Sequence, residues 1–396
     1  MFMIRSAAHL MTLTALTLAL GACAAVERPG PADAAEVEPE LEIVAALDKA
    51  PGNITVTPDG LVVFSLHQHF EPELRVVALR KASNGDDGDG VTPDLQNVRL
   101  EPFPDGHWNA GDAPGRLALD SVLGIQSDTR GIVWMLDNGM RNDITPKLVA
   151  WDTRRDRLHR IIHLPPPLVP EGQFVNDLAV DLTHDHIYIA DPAGGENAAL
   201  IVVELRTGHA RRVLEGHQSV VPEDIDMVFD GRPAEILGPD GETFRPRVGV
   251  NPIALDAADA WLYYGPMSGT TMYRIRTADL RNRELDDDQL AQRVEAYADK
   301  PIGDGISIDN AGNIYISAIT DNAIGVIDTD RQYRILFQDD ELLQWPDAFS
   351  FGPDGKMYVV ANQLHRGPVL NAGEDETEPP YYIFRFRPLA PGTVGR

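Results

Sequence analysis

The sequence predicts an all-β protein, a six-bladed β-propeller with four-stranded blades. Two observations lead to this prediction: one strand–turn–strand pattern recurs six times, and almost no segment has the periodicity of an amphipathic helix. The chain has 396 residues, of which 43% are hydrophobic, so it has enough apolar surface for a large core. A β-sandwich would need no sixfold recurrence, whereas a propeller is built from it.

Six turns mark the repeat. They are TPDG at Thr57, DTRG at Asp128, DLTHD at Asp181, DAADA at Asp256, DNAG at Asp309 and GPDG at Gly352. A run of β-branched and aromatic residues follows each turn, as in HIYIAD and NIYISA, and a third strand such as ALIVVEL comes next. One segment, DDDQLAQRVEAYADK (residues 286–300), predicts a short helix in a loop.

The sixth repeat ends after its third strand, YYIFRFR, and lacks an outer strand. We expect LEIVAALD (residues 41–48) to fill that place, which would close the ring and cover two free strand edges. A seven-bladed ring is the main alternative, but the sequence offers no seventh repeat. The propeller is therefore predicted over residues 41–388, with a C-terminal tail over 389–396.

The residues before the repeat have the pattern of an export signal. Arg5 precedes an apolar run over residues 10–20 that is too short to span a bilayer, and Leu20-Gly21-Ala22-Cys23 follows it. This ending resembles the lipobox of bacterial lipoproteins, in which the cysteine is acylated and becomes the first residue. Cys23 is the only cysteine in the sequence, so an internal disulfide does not account for it. An ordinary signal peptide with a chance cysteine is the alternative.

These features predict a signal peptide over residues 1–22 and a flexible acidic tether over residues 23–40. The expected location is the bacterial cell envelope, lipid-anchored on the periplasmic face of the outer membrane, or secretion. The formal net charge of −27 repels nucleic acid phosphates and anionic lipid headgroups. We therefore expect no nucleic acid partner, membrane contact only through the lipid anchor, and a monomer.

The start of each innermost strand faces the central channel of a propeller. The positions five residues before the aligned turns are Gly52, Leu123, Asn176, Asn251, Asp304 and Asp347. The last four carry oxygen atoms, which suit one hard divalent cation such as calcium or magnesium. Such a cation would polarise a carbonyl group and acidify a bound water, with Asp304 or Asp347 as general base. The alternative is a polar channel that holds water, because Asn and Asp often begin strands.

The second strands end on the same face and add further candidates for ligand binding. These are His67, Asp137, Asp191, Met267 and Asn362. His67 and His69 alternate on a predicted strand and would share one face, as a ligand pair or a polar edge. Trp345 and Tyr264 would stack on an aromatic ligand, with a role in the core as the alternative for each.

Several segments resemble the yellow and major royal jelly protein family, including its bacterial members. They are GIQSDTRGIVWMLDNG (124–139), KLVAWDTRRDRLHRIIHLP (147–165), FVNDLAVD (174–181), YYGPMSGTTMYRI (263–275) and WPDAFSFGPDG with NQLH near the end. The resemblance implies an exported six-bladed propeller. The family's functions include dopachrome conversion and the binding of amines or sterols, so it supplies no shared set of catalytic residues.

A more distant resemblance is to the gluconolactonase and regucalcin family, also six-bladed, in which side-chain oxygens hold a divalent cation for lactone hydrolysis. Asn176, Asn251 and Asp304 match three of those positions in the contexts VND, VNP and GDG. Gly52 stands where that family has a glutamate, so the implied site is complete only if Asp347 supplies the missing carboxylate.

Three functional hypotheses follow. The first is a metal-dependent enzyme, either a lactonase-like hydrolase or a tautomerase of a quinone-like substrate. The second is a non-catalytic binder of cationic or aromatic small molecules that uses Trp345, Tyr264 and His67. The third is a protein-interaction scaffold, because a fold does not determine a function.

Overall fold

The computed structural model describes residues 40–81, 98–109, 117–172, 174–192 and 195–396. The predicted signal peptide, Cys23 and all of the predicted tether except Glu40 lie outside the described residues. Six four-stranded antiparallel sheets are present, and the innermost strands of neighbouring sheets contact each other in a closed cycle. The predicted six-bladed β-propeller is therefore confirmed.

The strands are given in chain order. The first is β1 (Glu42–Leu47). Blade one is β2 (Pro51–Val56), β3 (Val62–Leu66), β4 (Val76–Lys81) and β5 (Val98–Pro102). Blade two is β6 (Val122–Ser127), β7 (Ile132–Asp137), β8 (Lys147–Asp152) and β9 (Arg157–His163). Blade three is β10 (Asp177–Asp181), β11 (His186–Asp191), β12 (Ala199–Glu204) and β13 (Ala210–Val213).

Two short hairpins lie between blades three and four: β14 (Val228–Phe229) with β15 (Arg232–Pro233), and β16 (Ile236–Leu237) with β17 (Thr243–Phe244). Blade four is β18 (Val250–Leu255), β19 (Trp261–Pro266), β20 (Thr271–Arg276) and β21 (Glu295–Asp299). Blade five is β22 (Gly303–Ile308), β23 (Ile314–Ala318), β24 (Ala323–Ile327) and β25 (Tyr333–Gln338). Blade six is β26 (Pro346–Phe351), β27 (Met357–Ala361) and β28 (Tyr381–Phe386), with β1 as its outer strand.

The helices are short. They are α1 (Gly106–Asn109), α2 (Thr277–Arg281) and α3 (Asp287–Ala291), with 3-10 turns at Gln68–Phe70, Ile319–Asp321 and Leu364–Arg366. The helix predicted over residues 286–300 is correct only for its first part, because residues 295–299 pair with β20 and complete blade four. None of the helices in the described ranges is long and apolar enough to cross a membrane.

The ring closes through the N-terminal strand, as predicted. Strand β1 pairs antiparallel with β28, with Leu47 opposite Tyr381. Glu42 at the start of β1 accepts a hydrogen bond from the Arg385 guanidinium at 2.8 Å and also binds the Lys356 ammonium group. The last blade is thus built from both ends of the described chain, and β1 covers the edge of β28 that would otherwise be free to pair.

The inner strands are irregular near their starts. In five blades the pairing of the first two strands shifts register there, for example between Gly303 and Ile306. A bulge of this kind turns two consecutive residues toward the same side. The close approach of neighbouring inner strands requires small residues: a Cβ atom on Gly305 would lie 2.4 Å from the carbonyl oxygen of Asp347.

Residues 389–396 run across the other end of the channel, where the inner strands finish. In blade five, the Leu389 N–H donates to Tyr315 Oη (2.6 Å). In blade six, the Phe351 N–H donates to Arg396 O (2.7 Å). In blade one, the Thr55 hydroxyl donates to Gly395 O (3.0 Å). Gly395 packs on Ser127 of blade two, and the Arg396 guanidinium donates to the carbonyls of Val180 (3.0 Å) and Asp256 (3.2 Å) in blades three and four. The tail therefore touches all six blades.

Candidate functional site

A cavity of about 280 Å³ opens where the six inner strands begin. Its lining includes all six positions that the repeat assigned to the channel: Gly52, Leu123, Asn176, Asn251, Asp304 and Asp347. We call these residues, with Asn53 and Asp177, the floor of the cavity. Blades one and two contribute its apolar half, and blades three to six contribute amides and carboxylates.

A chain of hydrogen bonds crosses the floor from blade three to blade six. The Asn176 amide donates to Asn251 Oδ1, and the Asn251 amide donates to Asp304 Oδ1. The other oxygen of Asp304 accepts a hydrogen bond of 2.7 Å from the Trp345 indole N–H. Both oxygens of Asp304 are therefore engaged by the protein itself.

Two further carboxylates of the floor are bound at one oxygen each. Asp177 Oδ1 accepts hydrogen bonds from Asn53 Nδ2 (3.1 Å) and from its neighbour's backbone N–H (2.8 Å). Asp347 Oδ2 accepts one from Asn362 Nδ2 (2.8 Å). Among the described residues nothing donates to the second oxygen of either group, so these oxygens are open to a ligand.

Burial in the cavity disfavours charge on all three carboxyl groups. It raises the pKa of Asp304 to about 6, against the opposing effect of its hydrogen bonds. Burial, helped by the charge of Asp304, raises the pKa of Asp177 to about 7. Burial and then the charges of Asp304 and Asp177 raise the pKa of Asp347 well above its usual value. The floor is thus an acidic cluster with little compensating positive charge.

The two histidines of SLHQHF line the cavity, but they do not alternate on a strand as predicted. Strand β3 ends at Leu66, and His67 instead caps the 3-10 turn that contains His69, with its Nδ1 accepting the His69 backbone N–H at 3.2 Å. Burial, and then the neighbouring His69, hold the pKa of His67 well below its usual value, and burial lowers the pKa of His69 to about 4. Both rings are therefore neutral near pH 7 and add no positive charge.

Two long connections cover the cavity, and we call them the lid: residues 214–249 between blades three and four, and residues 362–380 between β27 and β28. They are joined by hydrogen bonds of Glu235 N–H to Leu370 O (3.0 Å) and of Ala372 N–H to Glu235 O (2.8 Å). The lid supplies apolar lining residues: Met227, Ile236, Pro246, Val248, Leu364, Val369 and Leu370.

Arg247 is the one cationic side chain among the described lining residues. Its guanidinium contacts the carboxylates of Asp226 (2.5 Å) and Asp224 (3.3 Å) in the lid. Its charge is therefore balanced within the lid, which leaves the acidic floor without a cationic partner.

The predicted ligand-binding residues fall into two groups. His67, Met267 and Trp345 line the cavity, and Asn362 lies directly behind it on Asp347. Asp137 and Asp191 are outside the lining: Asp137 forms a buried ion pair with Lys147 (2.7 Å), and Asp191 pairs with Arg212. Tyr264 is also outside, fully buried in the core, with its hydroxyl 3.0 Å from Ser219 Oγ.

Sequence reasoning missed Asn53, Asp177 and the lid. Asn53 follows the predicted channel residue Gly52, and Asp177 follows the predicted channel residue Asn176. A polar residue beside a channel position was therefore the signal that could have identified both. The bulged strand starts explain Asn53, because two consecutive residues of blade one reach the cavity. The lid belongs to no repeat, so the periodicity gave no indication of it.

The predicted metal site can be compared with these positions. In the described part of the chain, no three His, Cys, Asp or Glu side chains are arranged to hold a metal ion. A cation here would depend on the amide oxygens of Asn176 and Asn251 together with Asp304 and Asp347. These are hard oxygen donors of the kind calcium and magnesium take, so the residue types fit, and the cation stays a prediction.

Fold and cavity together define a six-bladed β-propeller with an acidic pocket at one mouth of its channel. The chain belongs to the major royal jelly protein family, whose model matches residues 120–378, more than half of the chain. This confirms the resemblance noted in the sequence.

Two honeybee (Apis mellifera) relatives illustrate the match. Major royal jelly protein 1 is 23% identical over 314 residues, which cover 74% of this chain and 66% of that protein. Major royal jelly protein 3 is 22% identical over 299 residues, which cover 69% of this chain and 52% of that protein. The chain thus spans about half to two thirds of the length of these relatives.

Solved structures agree on the fold. A gluconolactonase from Xanthomonas campestris matches with a TM-score of 0.51 at 12% identity, covering 88% of this chain and 89% of that one. Regucalcin from Agrobacterium tumefaciens, described as a calcium-binding protein, matches with a TM-score of 0.50 at 12% identity, covering 89% and 98%. At this identity the similarity is one of fold alone.

Proposed function

We propose that the protein binds a small organic molecule with a cationic group and an apolar or aromatic body in the cavity at the channel mouth. The observation that carries this proposal is the acidic floor, in which Asp177, Asp304 and Asp347 converge without a cationic partner. A buried carboxylate is costly unless a positive charge accompanies it. A cationic ligand would supply that charge.

The walls of the cavity suit the rest of such a ligand. Phe174, Met227 and Met267 offer apolar and polarisable contacts above the floor, and the Trp345 ring lies beside Asp304. Asp177 and Asp347 each present one oxygen that no described residue occupies. An ammonium group would donate to these oxygens while the aromatic part packs against the lid.

The test is a titration of a serotonin-like aromatic amine into the purified protein, followed by calorimetry and tryptophan fluorescence. We expect Asp177→Asn and Asp347→Asn each to weaken binding by about tenfold or more, because a charge-assisted hydrogen bond is lost. Asp299→Asn, at an exposed position on β21, is the matched control and should bind as the wild type does. Equal binding of the corresponding uncharged aromatic alcohol would refute recognition of a cation.

Metal-assisted catalysis, either lactone hydrolysis or tautomerisation, is the second candidate. It is favoured by the oxygen-rich series Asn176, Asn251 and Asp304, and by the pKa of Asp304, about 6, which suits a general base near neutral pH. Bound calcium would polarise the substrate carbonyl. Asp304 or Asp347 would hold the transferred proton.

Elemental analysis and the melting temperature with and without calcium test this candidate. We expect a divalent ion to co-purify, calcium to raise the melting temperature, and Asp304→Ala to abolish that response. A wild-type protein that contains no divalent ion and does not respond to calcium would exclude the metal-dependent reaction while leaving amine binding open.

Lipid attachment at Cys23 is a separate proposal that rests on the sequence Leu-Gly-Ala-Cys. Metabolic labelling with a radioactive fatty acid in a bacterial host should mark the wild-type protein and leave Cys23→Ser unlabelled. Label on the variant would disprove the assignment.

A further inference from the structure

A second cavity, of about 170 Å³, is lined mainly by lid residues and has a different chemical character. Its polar lining includes Arg232 from the β14–β15 hairpin, Gln344, and His365 with Arg366 from the last 3-10 turn. Asp230 is the one carboxylate among its described lining residues. In a chain with a net charge of −27, a cavity with two guanidinium groups is unusual and favours an anion.

The two arginines and the histidine are close together. Burial, and then the positive charges of Arg366 and Arg232, lower the pKa of His365 to about 4. The His365 ring is therefore neutral and lies within the field of both guanidinium groups. Both positive charges therefore act on a residue that lines this cavity.

His365 also carries an unsatisfied polar atom. Its Nδ1 is buried and has no hydrogen-bond partner within the described residues. Most buried polar atoms in proteins are paired, so an unpaired nitrogen on a residue that lines a cavity with room for a small ligand points to a missing partner. An acceptor oxygen would satisfy it as an N–H donor.

Among the described residues, both arginines form their ion pairs with exposed carboxylates. Arg232 contacts Glu376 at 3.1 Å and Arg366 contacts Glu378 at 3.3 Å, and the glutamate side chains are 45% and 77% exposed. Exposed ion pairs of this kind contribute little to stability. An incoming anion could displace them at little cost.

We propose that the lid cavity binds a small oxyanion, a carboxylate or a phosphate group, between the guanidinium groups of Arg232 and Arg366, with His365 as a further donor. Guanidinium groups match the geometry of both oxyanions through paired hydrogen bonds. The Arg366 guanidinium also donates a hydrogen bond of 3.4 Å to the side-chain oxygen of Gln344, another residue of the cavity lining. This site is separate from the acidic floor and does not depend on the function proposed for it.

The anion site would still be connected to the main cavity. Phe229 stacks on His365 with ring centroids 4.6 Å apart, and on Trp345 with centroids 5.1 Å apart. Trp345 in turn donates to Asp304 on the floor. A ligand on His365 would therefore rest against an aromatic stack in which Trp345 lines the main cavity.

The experiment is a calorimetric titration of the full chain with inorganic phosphate and, separately, with acetate, at constant ionic strength set with sodium chloride. We expect saturable binding of at least one of them, and the tighter one identifies the class of anion. Arg232→Gln and Arg366→Gln should each weaken that binding about tenfold, the effect of losing a charged hydrogen bond. His365→Phe should also weaken it, because the ring stack is kept and the donor is lost.

Arg206→Gln is the matched control, since Arg206 is an exposed arginine that pairs with Glu204 at 3.0 Å on blade three. It should bind the anion as the wild type does. Failure of both phosphate and acetate to bind beyond chloride would overturn the proposal, as would wild-type affinity in a folded Arg232→Gln/Arg366→Gln double variant. Circular dichroism and the melting temperature without anion establish that each variant is folded.

Discussion

At the scale of single residues, Trp345 links the floor of the main cavity to its lid. Its backbone has φ +52°, a left-handed conformation that is rare for a bulky residue. The indole holds Asp304 through a hydrogen bond of 2.7 Å, while the ring stacks on Phe229. A strained residue that contacts both parts of a site is more consistent with a binding role than with simple core packing.

Trp345→Phe tests this role. The substitution keeps an aromatic ring against Phe229 but removes the indole N–H, so one oxygen of the buried Asp304 carboxylate loses its donor. We expect the free energy of unfolding in urea to fall by about 1–3 kcal/mol. Trp261→Phe is the control, because the Trp261 ring is half-buried between the Arg274 and Arg276 guanidinium groups and should change stability little. Equal effects of the two substitutions would contradict the assignment.

Asp177 should make stability depend on pH. Its pKa is about 7 in the folded protein, and near 3.9 when unfolded. The folded state therefore holds the proton more tightly, and this contribution to stability is present at low pH and is lost as pH rises through 7. We expect urea denaturation to show lower stability at pH 8 than at pH 5.

The variant Asp177→Asn isolates that contribution. It should reduce the loss of unfolding free energy between pH 5 and pH 8 by roughly 1–2 kcal/mol, below the full value for such a shift because the side chain is only half-buried. Asp299→Asn should leave the pH dependence unchanged. A pH profile identical in wild type and Asp177→Asn would rule out this titration.

At the scale of elements, the repeat predicted the strands and the channel positions, because both follow from the recurring blade. It assigned one channel residue to each blade, whereas a bulged strand such as β2 turns two toward the cavity, so Asn53 was missed. Asp137 was proposed for the rim because β7 ends there, but its cross-strand neighbour Lys147 neutralises it. That pairing depends on strand register, which the pattern does not specify.

The C-terminal tail gives a prediction at this scale. Arg396→Ala removes the hydrogen bonds to the Val180 and Asp256 carbonyls and the ion pair with Asp259. We expect the free energy of unfolding to fall by about 1–3 kcal/mol, with a lower melting temperature. Arg387→Ala, at an exposed position before the tail, should have little effect. An unchanged melting temperature for Arg396→Ala would mean that the tail contributes little to stability.

At the scale of the whole molecule, the ring depends on a strand supplied from the opposite end of the chain. Deleting residues 41–48 would leave β28 without its outer partner and expose its edge to other molecules. We expect loss of a single cooperative thermal transition and aggregates in size-exclusion chromatography. Glu42→Ala keeps the strand and removes only its links to Arg385 and Lys356, so it should cost about 1 kcal/mol or less. A monomeric, cooperative deletion variant would show that the closure is dispensable.

The C-terminal tail, which contacts every blade, also limits the routes by which a ligand can enter and leave the central channel. Because the tail obstructs the far end of the channel, the channel is open at one end only. A molecule that enters beneath the lid must therefore leave through the same opening. If the protein turns over a substrate, product has to leave before the next molecule can enter, so product should inhibit the reaction competitively with substrate.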